Sequence, residues 1–320
     1  MLNNRQRAKR FGQHFLTDPR ILARIVDAAE PLQGAVVVEI GPGPGGLTRE
    51  ILKRNPTQVV VIEKDPLMID ALKPLGVTIF NQDAVTFDFG IIKEIANVHR
   101  PLPTQGIVDG IATFDKCRHI AESEPFLSEP IAGEPFLSEP IATDYNIWKA
   151  LERAVQGGVI SPMDLDSRNV PDIPALVRKI FPKTEMRPTP AAESACPIKV
   201  ISNLPYNVGT AIFTNLLKHL HGVSSMTLMF QKEVAERLLA KPGSRDYGRL
   251  AVLCQYFTTG KRVMRLAPGA FVPPPKVFSD VVHLVVDAEA NVDMFDSLSD
   301  FCSEIFQYKR KKLKNRINLS

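Results

Sequence analysis

Five short segments carry side chains whose types and spacing could do chemistry, and the first is a glycine loop. The segment VVVEIGPGPGGLT (36–48) places Gly41, Gly43 and Gly46 in the pattern G-x-G-x-x-G between a strand and a helix. That pattern is typical of dinucleotide sites, but Glu39 closes the strand and would repel a pyrophosphate. A carboxylate there suits a cationic ligand such as a sulfonium, and the prolines of the loop remove amide donors. The loop therefore favours S-adenosylmethionine, with NAD as the alternative.

Two acidic residues end the next two apolar runs. Glu63 closes QVVVIE, 22 residues beyond Gly41, and at that offset an acid can accept both ribose hydroxyls of an adenosine cofactor. Asp83 closes VTIFNQD, where a carboxylate could accept the adenine amino group. Each could instead be an ordinary exposed acid at a strand end. A loop and two acids at three successive strand ends nevertheless predict one cofactor site.

The segment NLPYN (203–207) follows an apolar run and has the residues to hold an amine on a nucleic-acid base. The nitrogen of such an amine is delocalised into the ring, so methylating it needs acceptors for its hydrogens. The side-chain carbonyl of Asn203 and a main-chain carbonyl can supply them, and Tyr206 can stack on a base swung out of its helix. The alternative is an ordinary proline turn. The sequence offers no His/Cys cluster that would indicate a metal.

The segment AFVPPPKVFS (270–279) contains a stiff triproline behind an aromatic residue. Phe271 could therefore be a second stacking face for the target base. A rigid hairpin connection explains the same residues.

The elements that must position these residues predict an α/β fold, a mostly parallel doubly wound sheet with a closing antiparallel hairpin. Apolar runs alternate with stretches of helical spacing, as expected for strands covered by helices on both faces. The predicted strands occupy residues 35–40, 58–63, 77–83, 198–202, 226–231, 261–271 and 277–286.

The block 97–196 interrupts this alternation. It holds 12 of the 26 prolines and a tandem repeat, EPFLSEPIA, at 124–132 and 134–142. We interpret it as an insertion that packs weakly on the domain. Because it leads directly into NLPYN, a bulky insertion could crowd the side from which a nucleic acid would approach that motif. A folded substrate-binding subdomain is the alternative.

Composition and charge narrow the class of protein further. The chain has 320 residues, 44% of them hydrophobic, but no run of about 20 apolar residues that would span a bilayer. The N-terminal residues lack the apolar stretch of a secretory signal, and the four cysteines are scattered, so we expect a cytoplasmic protein.

The net charge of +4 is unevenly distributed along the chain: residues 1–20 carry +4 and residues 305–320 carry +6, which leaves −6 elsewhere. Basic ends indicate phosphate contacts, although solvated tails would look the same.

Several motifs, in order, resemble the ribosomal RNA small-subunit adenine N6,N6-dimethyltransferase family. The motifs are FGQHFLTDP (11–19), EIGPGPGGLT (39–48), VVVIEKDP (59–66), NLPYN (203–207), LMFQKEVAERLLAKPGSRDYGRLAVLCQY (228–256) and APGAFVPPPKV (267–277). The resemblance covers residues 5–93 and 197–316. It implies a Rossmann-like methyltransferase fold followed by a small helical domain, and methyl transfer from S-adenosylmethionine to N6 of adjacent adenines in small-subunit rRNA.

The resemblance also assigns roles to individual residues. The cofactor would contact His14, Leu16, Glu39, Gly41, Gly43, Glu63, Asp83 and Asn203. The target amine would lie against Asn203, Leu204, Pro205 and Tyr206, with Phe271 beside the base. His14 departs from the family, whose members usually have Asn at this position.

The resemblance divides the chain into a basic arm (1–20), a Rossmann-like domain (21–286) with the insertion at about 97–196, and a truncated helical RNA-binding remnant (287–320). We expect a monomer that acts on immature small subunits. Two alternatives stay open. One is an RNA-binding assembly factor of the same fold without turnover, and the other is an adenine methyltransferase of large-subunit rRNA.

Overall fold

The computed structural model describes residues 14–97, 107–108, 146–161, 165, 171–181 and 196–307. Within these ranges the strands are β1 (Phe15–Leu16), β2 (Val36–Ile40), β3 (Gln58–Ile62), β4 (Thr78–Phe80), β5 (Ile107–Val108), β6 (Ile198–Asn203), β7 (Val223–Gln231), β8 (Thr258–Leu266), β9 (Phe271–Val272) and β10 (Ser279–Val286). The helices are α1 (Pro19–Asp27), α2 (Gly46–Leu52), α3 (Pro66–Leu72), α4 (Gly90–Asn97), α5 (Ile147–Gln156), α6 (Ile173–Ile180), α7 (Gly209–Leu217), α8 (Lys232–Leu238), α9 (Arg249–Phe257) and α10 (Phe295–Gln307).

Eight strands form one sheet in the order β5-β4-β3-β2-β6-β7-β10-β8. The first six are parallel, and β10 is antiparallel to both β7 and β8. The predicted fold class, a doubly wound sheet with a closing antiparallel hairpin, is therefore confirmed. The strand order reverses between β2 and β6, and ligands of such sheets bind at the carboxyl ends of the strands beside this reversal. Gly41 and Asn203 lie at these two strand ends.

Apolar side chains bury both faces of the sheet. Helices α1, α2 and α3 cover one face, where alternate strand residues such as Val37, Val61 and Ile201 form one buried cluster. The residues between them, such as Val38 and Val60, face a larger cluster that includes α4 and α7–α10. Strands with both faces buried are continuous apolar runs, which is why the sequence predicted them.

A second, two-stranded sheet joins the first described residues to the connection between β8 and β10. Strand β1 pairs antiparallel with β9, with Phe15 opposite Val272 and Leu16 opposite Phe271. The ladder places residues 14–16 over the carboxyl edge of the large sheet.

Parts of the block 97–196 belong to the main core. Strand β5 extends the sheet beside β4, and helices α5 and α6 bury apolar side chains such as Leu151, Ile173 and Val177 in the larger cluster. The expectation that this block packs weakly is therefore wrong for α5 and α6, whose spaced apolar residues give each a face to bury. The duplicated EPFLSEPIA lies outside the described residues.

The block touches both edges of the sheet, because β5 runs parallel to β4 and ends at the carboxyl edge, whereas the return to β6 lies at the other edge. The block ends at β6 through Pro197, whose carbonyl accepts a hydrogen bond from Val36 N at the start of β2. NLPYN lies at the opposite, carboxyl end of β6. The block therefore rejoins the sheet at the amino edge, away from that motif. Residues 109–145 lie outside the described residues, so the expectation that the block crowds the site stays a prediction.

Helix α10 finds its partners within the chain. Phe295, Leu298, Phe301 and Cys302 are buried, and the helix packs against α9 and α5. The indole of Trp148 on α5 lies edge-on to Phe301, with centroids 4.6 Å apart, and its Nε1 donates to Glu304 at 2.9 Å. Among the described residues no helix is long and apolar enough to cross a membrane.

Candidate active site

The glycine loop joins β2 to α2 in a conformation that side chains would obstruct. Gly41 and Gly43 have φ of 63° and 54°, in the left-handed region that favours glycine. A Cβ on Gly43 would lie 2.5 Å from Cε1 of Phe15, and one on Gly41 would lie 3.6 Å from Cγ of Pro205. The loop is therefore in close contact with β1 on one side and with NLPYN on the other.

Glu63 ties the end of β3 to the glycine loop. Its Oε2 accepts from Gly43 N at 3.1 Å, and its Oε1 accepts from Asp65 N at 2.8 Å. The side chain is 2% exposed, and burial raises its pKa. A carboxylate offers about four acceptor positions, so two amide bonds leave capacity for hydroxyl donors. Asp65 in turn caps α3 by accepting from Leu67 N.

Asp83 follows β4 and already has two donors. Its Oδ1 accepts from Val85 N at 3.0 Å, and its Oδ2 lies 2.5 Å from Nζ of Lys64. The Lys64 ammonium holds the pKa of Asp83 below its ordinary value. Lys64 and Asp83 line the same groove as Glu63.

Glu39 is buried beneath the glycine loop. Its Oε2 has no hydrogen-bond partner among the residues that the structure describes, and the same holds for Oγ1 of Thr48. Burial raises the pKa of Glu39 to about 8. A buried carboxyl oxygen without a partner can receive a donor or a cation. The residues predicted to hold the cofactor's charged end therefore fit such a group.

Asn203 is oriented by the residue that precedes β1. Its Nδ2 donates to the main-chain carbonyl of His14 at 2.8 Å, whereas its Oδ1 accepts no hydrogen bond from any described residue. The imidazole Nδ1 of His14 lies 2.7 Å from the carbonyl oxygen of Pro273. These contacts fix the amide so that its oxygen is the free acceptor.

The Tyr206 ring lies in an aromatic cluster. Its hydroxyl is hydrogen-bonded to Oγ of Ser279, its ring centroid is 5.0 Å from His14, and burial raises its pKa. Phe271 lies edge-on to it, with centroids 6.4 Å apart, and is 2% exposed. The expectation that Phe271 presents a stacking face is therefore wrong for this structure, because its ring is buried behind Tyr206.

One groove brings most of the predicted site residues together at the carboxyl edge of the sheet. Its lining includes His14, Gly41, Glu63, Asp83, Asn203, Leu204, Pro205 and Tyr206. Leu16 and Glu39 line a smaller neighbouring cavity beneath the loop, together with Gly41 and Asn203. Gly43 contributes its amide to Glu63. No group of His, Cys, Asp and Glu in the described part of the chain is placed to hold a metal ion.

Sequence reasoning missed three residues at this site. Lys64 pairs with Asp83, Phe15 packs on Gly43, and Ser279 binds the Tyr206 hydroxyl. Of the three, only Lys64 could have been found from the sequence, because it directly follows the predicted site residue Glu63. The other two contacts depend on pairings between distant parts of the chain.

Solved structures share this fold. The crystal structure of a dimethyladenosine transferase from Plasmodium falciparum matches with a TM-score of 0.52 at 21% identity, over 93% of this chain and 72% of that one. The crystal structure of 23S rRNA methyltransferase ErmE matches with a TM-score of 0.50 at 19% identity, over 93% of this chain and 81% of that one. The chain therefore has the Rossmann-like fold of these methyltransferases.

The chain belongs to the ribosomal RNA adenine dimethylase family, whose model matches residues 4–116 and 172–320. It is 31% identical over 312 residues to ribosomal RNA small subunit methyltransferase A of Xanthobacter autotrophicus, covering 97% of this chain and 76% of the relative. It is 32% identical over 317 residues to the protein of that name from Cereibacter sphaeroides, covering 97% and 78%. Residues 117–171, which include the repeat and α5, lie outside the family match.

Proposed function

We propose that this protein transfers methyl groups from S-adenosylmethionine to N6 of adjacent adenines in small-subunit ribosomal RNA during ribosome assembly. The observation that carries the proposal is the contact between its two motifs. Pro205 of NLPYN lies against Gly41 of the glycine loop, and Asn203 presents a free acceptor beside it. A methyl donor held by the loop and an amine held by NLPYN would be neighbours at the same strand edge.

The residues at the ends of β2, β3 and β4 would hold the cofactor. Glu63 has acceptor capacity for the ribose hydroxyls, and Asp83 would accept the adenine amine. The partnerless oxygen of Glu39 supports placing the charged amino-acid end near the loop. When bound there, the cofactor would supply a methyl group on a cationic sulfur. The amine nitrogen would form a bond to the methyl carbon as the carbon–sulfur bond breaks, the nitrogen would release a proton, and S-adenosylhomocysteine would be the leaving product.

The NLPYN segment would hold the target adenine. The Asn203 side-chain oxygen and the main-chain carbonyl of Leu204 would accept the two hydrogens of the amine, which favours a nitrogen lone pair directed at the methyl group. The ring of Tyr206 would stack on the flipped base, a contact worth about 1–3 kcal/mol. Phe271, through its edge-on ring contact, and Ser279, through its hydrogen bond to the hydroxyl, would hold the Tyr206 ring in place.

The partner is ribosomal RNA, and the small subunit is its proposed source. Residues 309–316 contain six Lys and Arg and no acid, so this segment would contact phosphates. We infer a cytoplasmic monomer that acts on immature subunits.

Two other functions remain to be separated from this one. An assembly factor without turnover would bind RNA but transfer no methyl group, and a large-subunit enzyme would modify different RNA. The likeness to ErmE is at the level of the fold, whereas two relatives named for the small subunit are 31% and 32% identical to this chain over the aligned residues.

The test uses purified protein, labelled S-adenosylmethionine, and either immature small subunits or large-subunit RNA, followed by mapping of the modified adenines. We expect label on adjacent adenines of the small subunit only. Tyr206→Ala should lose most turnover and keep its affinity for S-adenosylhomocysteine, whereas Tyr206→Phe should keep most turnover because it retains the ring. Label on large-subunit RNA, or RNA binding without any transfer, would favour the corresponding alternative.

A further inference from the structure

The carboxylate predicted to recognise adenine has an internal cationic partner. Nζ of Lys64 lies 2.5 Å from Oδ2 of Asp83, and Val85 N occupies Oδ1 at 3.0 Å. Both members of the ion pair line the groove. An adenine amine that donates to Asp83 must therefore approach an oxygen that already has a donor.

The Lys64–Asp83 pair can be separated at small cost. The Lys64 side chain is 59% exposed and that of Asp83 is 35% exposed. Ion pairs this open to solvent contribute about 0–1 kcal/mol, since water and salt screen them. A ligand donor can replace the ammonium, at the expense of a fraction of the ligand's affinity.

We propose that Lys64 competes with the cofactor's exocyclic amine for Asp83, and that the pair together sets the selectivity of the groove at position 6 of the purine. This inference rests on the proposed function and deepens it. Lys64 is a positioning residue here, because it acts on the ligand through Asp83.

Asp83 and Lys64 favour opposite groups at position 6 of the purine. An amine donates to the Asp83 carboxylate and gains nothing from an ammonium. A carbonyl at the same position is repelled by the carboxylate but accepts a hydrogen bond from Lys64. Lys64 should therefore weaken the binding of a 6-amino purine and strengthen that of a 6-oxo purine.

The experiment is calorimetry of Lys64→Met with S-adenosylhomocysteine and with S-inosylhomocysteine, which carries a carbonyl in place of the amine. Neither probe has a sulfonium charge, so repulsion between cations does not contribute. We expect the variant to bind S-adenosylhomocysteine two- to five-fold more tightly, about 0.4–1 kcal/mol. It should bind S-inosylhomocysteine no better than the parent, or more weakly.

Lys73→Met is the matched control. Lys73 forms a similarly exposed ion pair with Asp70, at 2.8 Å, but does not line the groove. Its removal should leave both affinities unchanged. Lys64→Arg should keep the parent's relative affinities for the two ligands, because it leaves a cation beside Asp83. Raising the salt concentration should tighten S-adenosylhomocysteine in the parent and not in Lys64→Met, since salt weakens the competing pair.

The outcomes separate this inference from the proposed function. Equal shifts for both ligands, an unchanged affinity in Lys64→Met, or the same gain in Lys73→Met would each overturn the role of Lys64 while leaving the cofactor assignment intact. Failure of the parent to bind S-adenosylhomocysteine at all would overturn the cofactor assignment and this inference with it.

Discussion

Asn203 is prepared as an acceptor because its amide nitrogen is already committed to the His14 carbonyl. An amide free to flip would present its nitrogen to the substrate amine half of the time, so this single bond decides which end faces the groove. The backbone of His14 makes the contact, and any residue type supplies that carbonyl. The departure from Asn at position 14 therefore leaves the orientation of Asn203 unaffected.

Glu63→Ala should weaken the binding of S-adenosylhomocysteine by about 1.5–3 kcal/mol, because the hydrogen bonds from two ribose hydroxyls to a charged group are lost. The variant also removes the acceptor for the N–H groups of Gly43 and Asp65, which donate to the Glu63 carboxylate in the parent. Glu63→Gln is the matched control, since it keeps an acceptor oxygen and should lose less affinity. Calorimetry that finds the alanine variant unchanged would remove Glu63 from the cofactor site.

Glu39 should make the protein less stable as the pH rises. Its pKa of about 8 in the folded protein exceeds the ordinary carboxyl value of 4.5, so between these values the folded state keeps a proton that the unfolded chain has lost. The free energy of unfolding therefore falls as pH increases from about 4.5 to 8 and is flat above that range with respect to this group.

Glu39→Gln should remove this contribution, because the amide does not titrate. Relative to the parent, the variant should gain stability between pH 5 and pH 8, on the order of 1–4 kcal/mol. Urea unfolding at several pH values measures the difference. Parallel pH profiles for the two proteins would contradict the raised pKa.

At the scale of elements, α5 and α6 brace the layer formed by α9 and α10. Arg178 on α6 donates to the carbonyl of Tyr256 at 2.8 Å and pairs with Asp287 at 2.9 Å. The hydroxyl of Tyr247 accepts from Ile173 N, the first residue of α6. The Arg178 contacts are partly exposed, whereas the bond between Ile173 and Tyr247 is buried among apolar side chains. Apolar burial therefore holds the two helices, and hydrogen bonds align them.

Leu151→Ala should destabilise the whole domain, because the side chain is fully buried between helices. Removing a buried leucine costs about 2–5 kcal/mol, as transfer and cavity terms add. Arg153→Ala on the exposed side of the same helix is the control and should change stability by less than about 0.5 kcal/mol. Denaturant unfolding reports both, and equal stability of Leu151→Ala and the parent would mean that α5 is dispensable to the core.

Strands and helices could be predicted from the sequence where the pattern that indicates them lies within a few consecutive residues. The buried parallel strands are continuous apolar runs, and the acids at their ends are read directly from the residue that follows each run. The β1–β9 ladder has two residues in each strand, and its nearest pair, Leu16 and Phe271, is 255 residues apart, so no periodicity could indicate it. Proline content made the block 97–196 look separate, whereas the apolar faces of α5 and α6 carried the better information.

At the scale of the molecule, the two edges of the sheet have different tasks. The carboxyl edge carries the groove, and the amino edge receives the block that ends at Pro197. Because α5 and α6 contribute to the shared core, the block is not removable as a unit. The part of it outside the family match and before α5 lies outside the described residues.

Deletion of 97–196 should therefore leave an unstable or insoluble protein, since buried side chains such as Leu151 and Val177 are lost. Deletion of 117–143, which removes both copies of the repeat, should leave stability and S-adenosylhomocysteine affinity nearly unchanged. Changing the length of a connection by a factor of two costs only about 0.6 kcal/mol. Thermal unfolding and calorimetry distinguish the variants, and a stable protein after the larger deletion would contradict the role assigned to α5 and α6.

The return of the block to the sheet at the amino edge has a practical consequence. A strand of six residues separates Pro197 from the groove, roughly 20 Å at 3.3 Å per residue. A fluorescent reporter domain inserted immediately before Pro197 should therefore leave the affinity for S-adenosylhomocysteine unchanged, which calorimetry would measure.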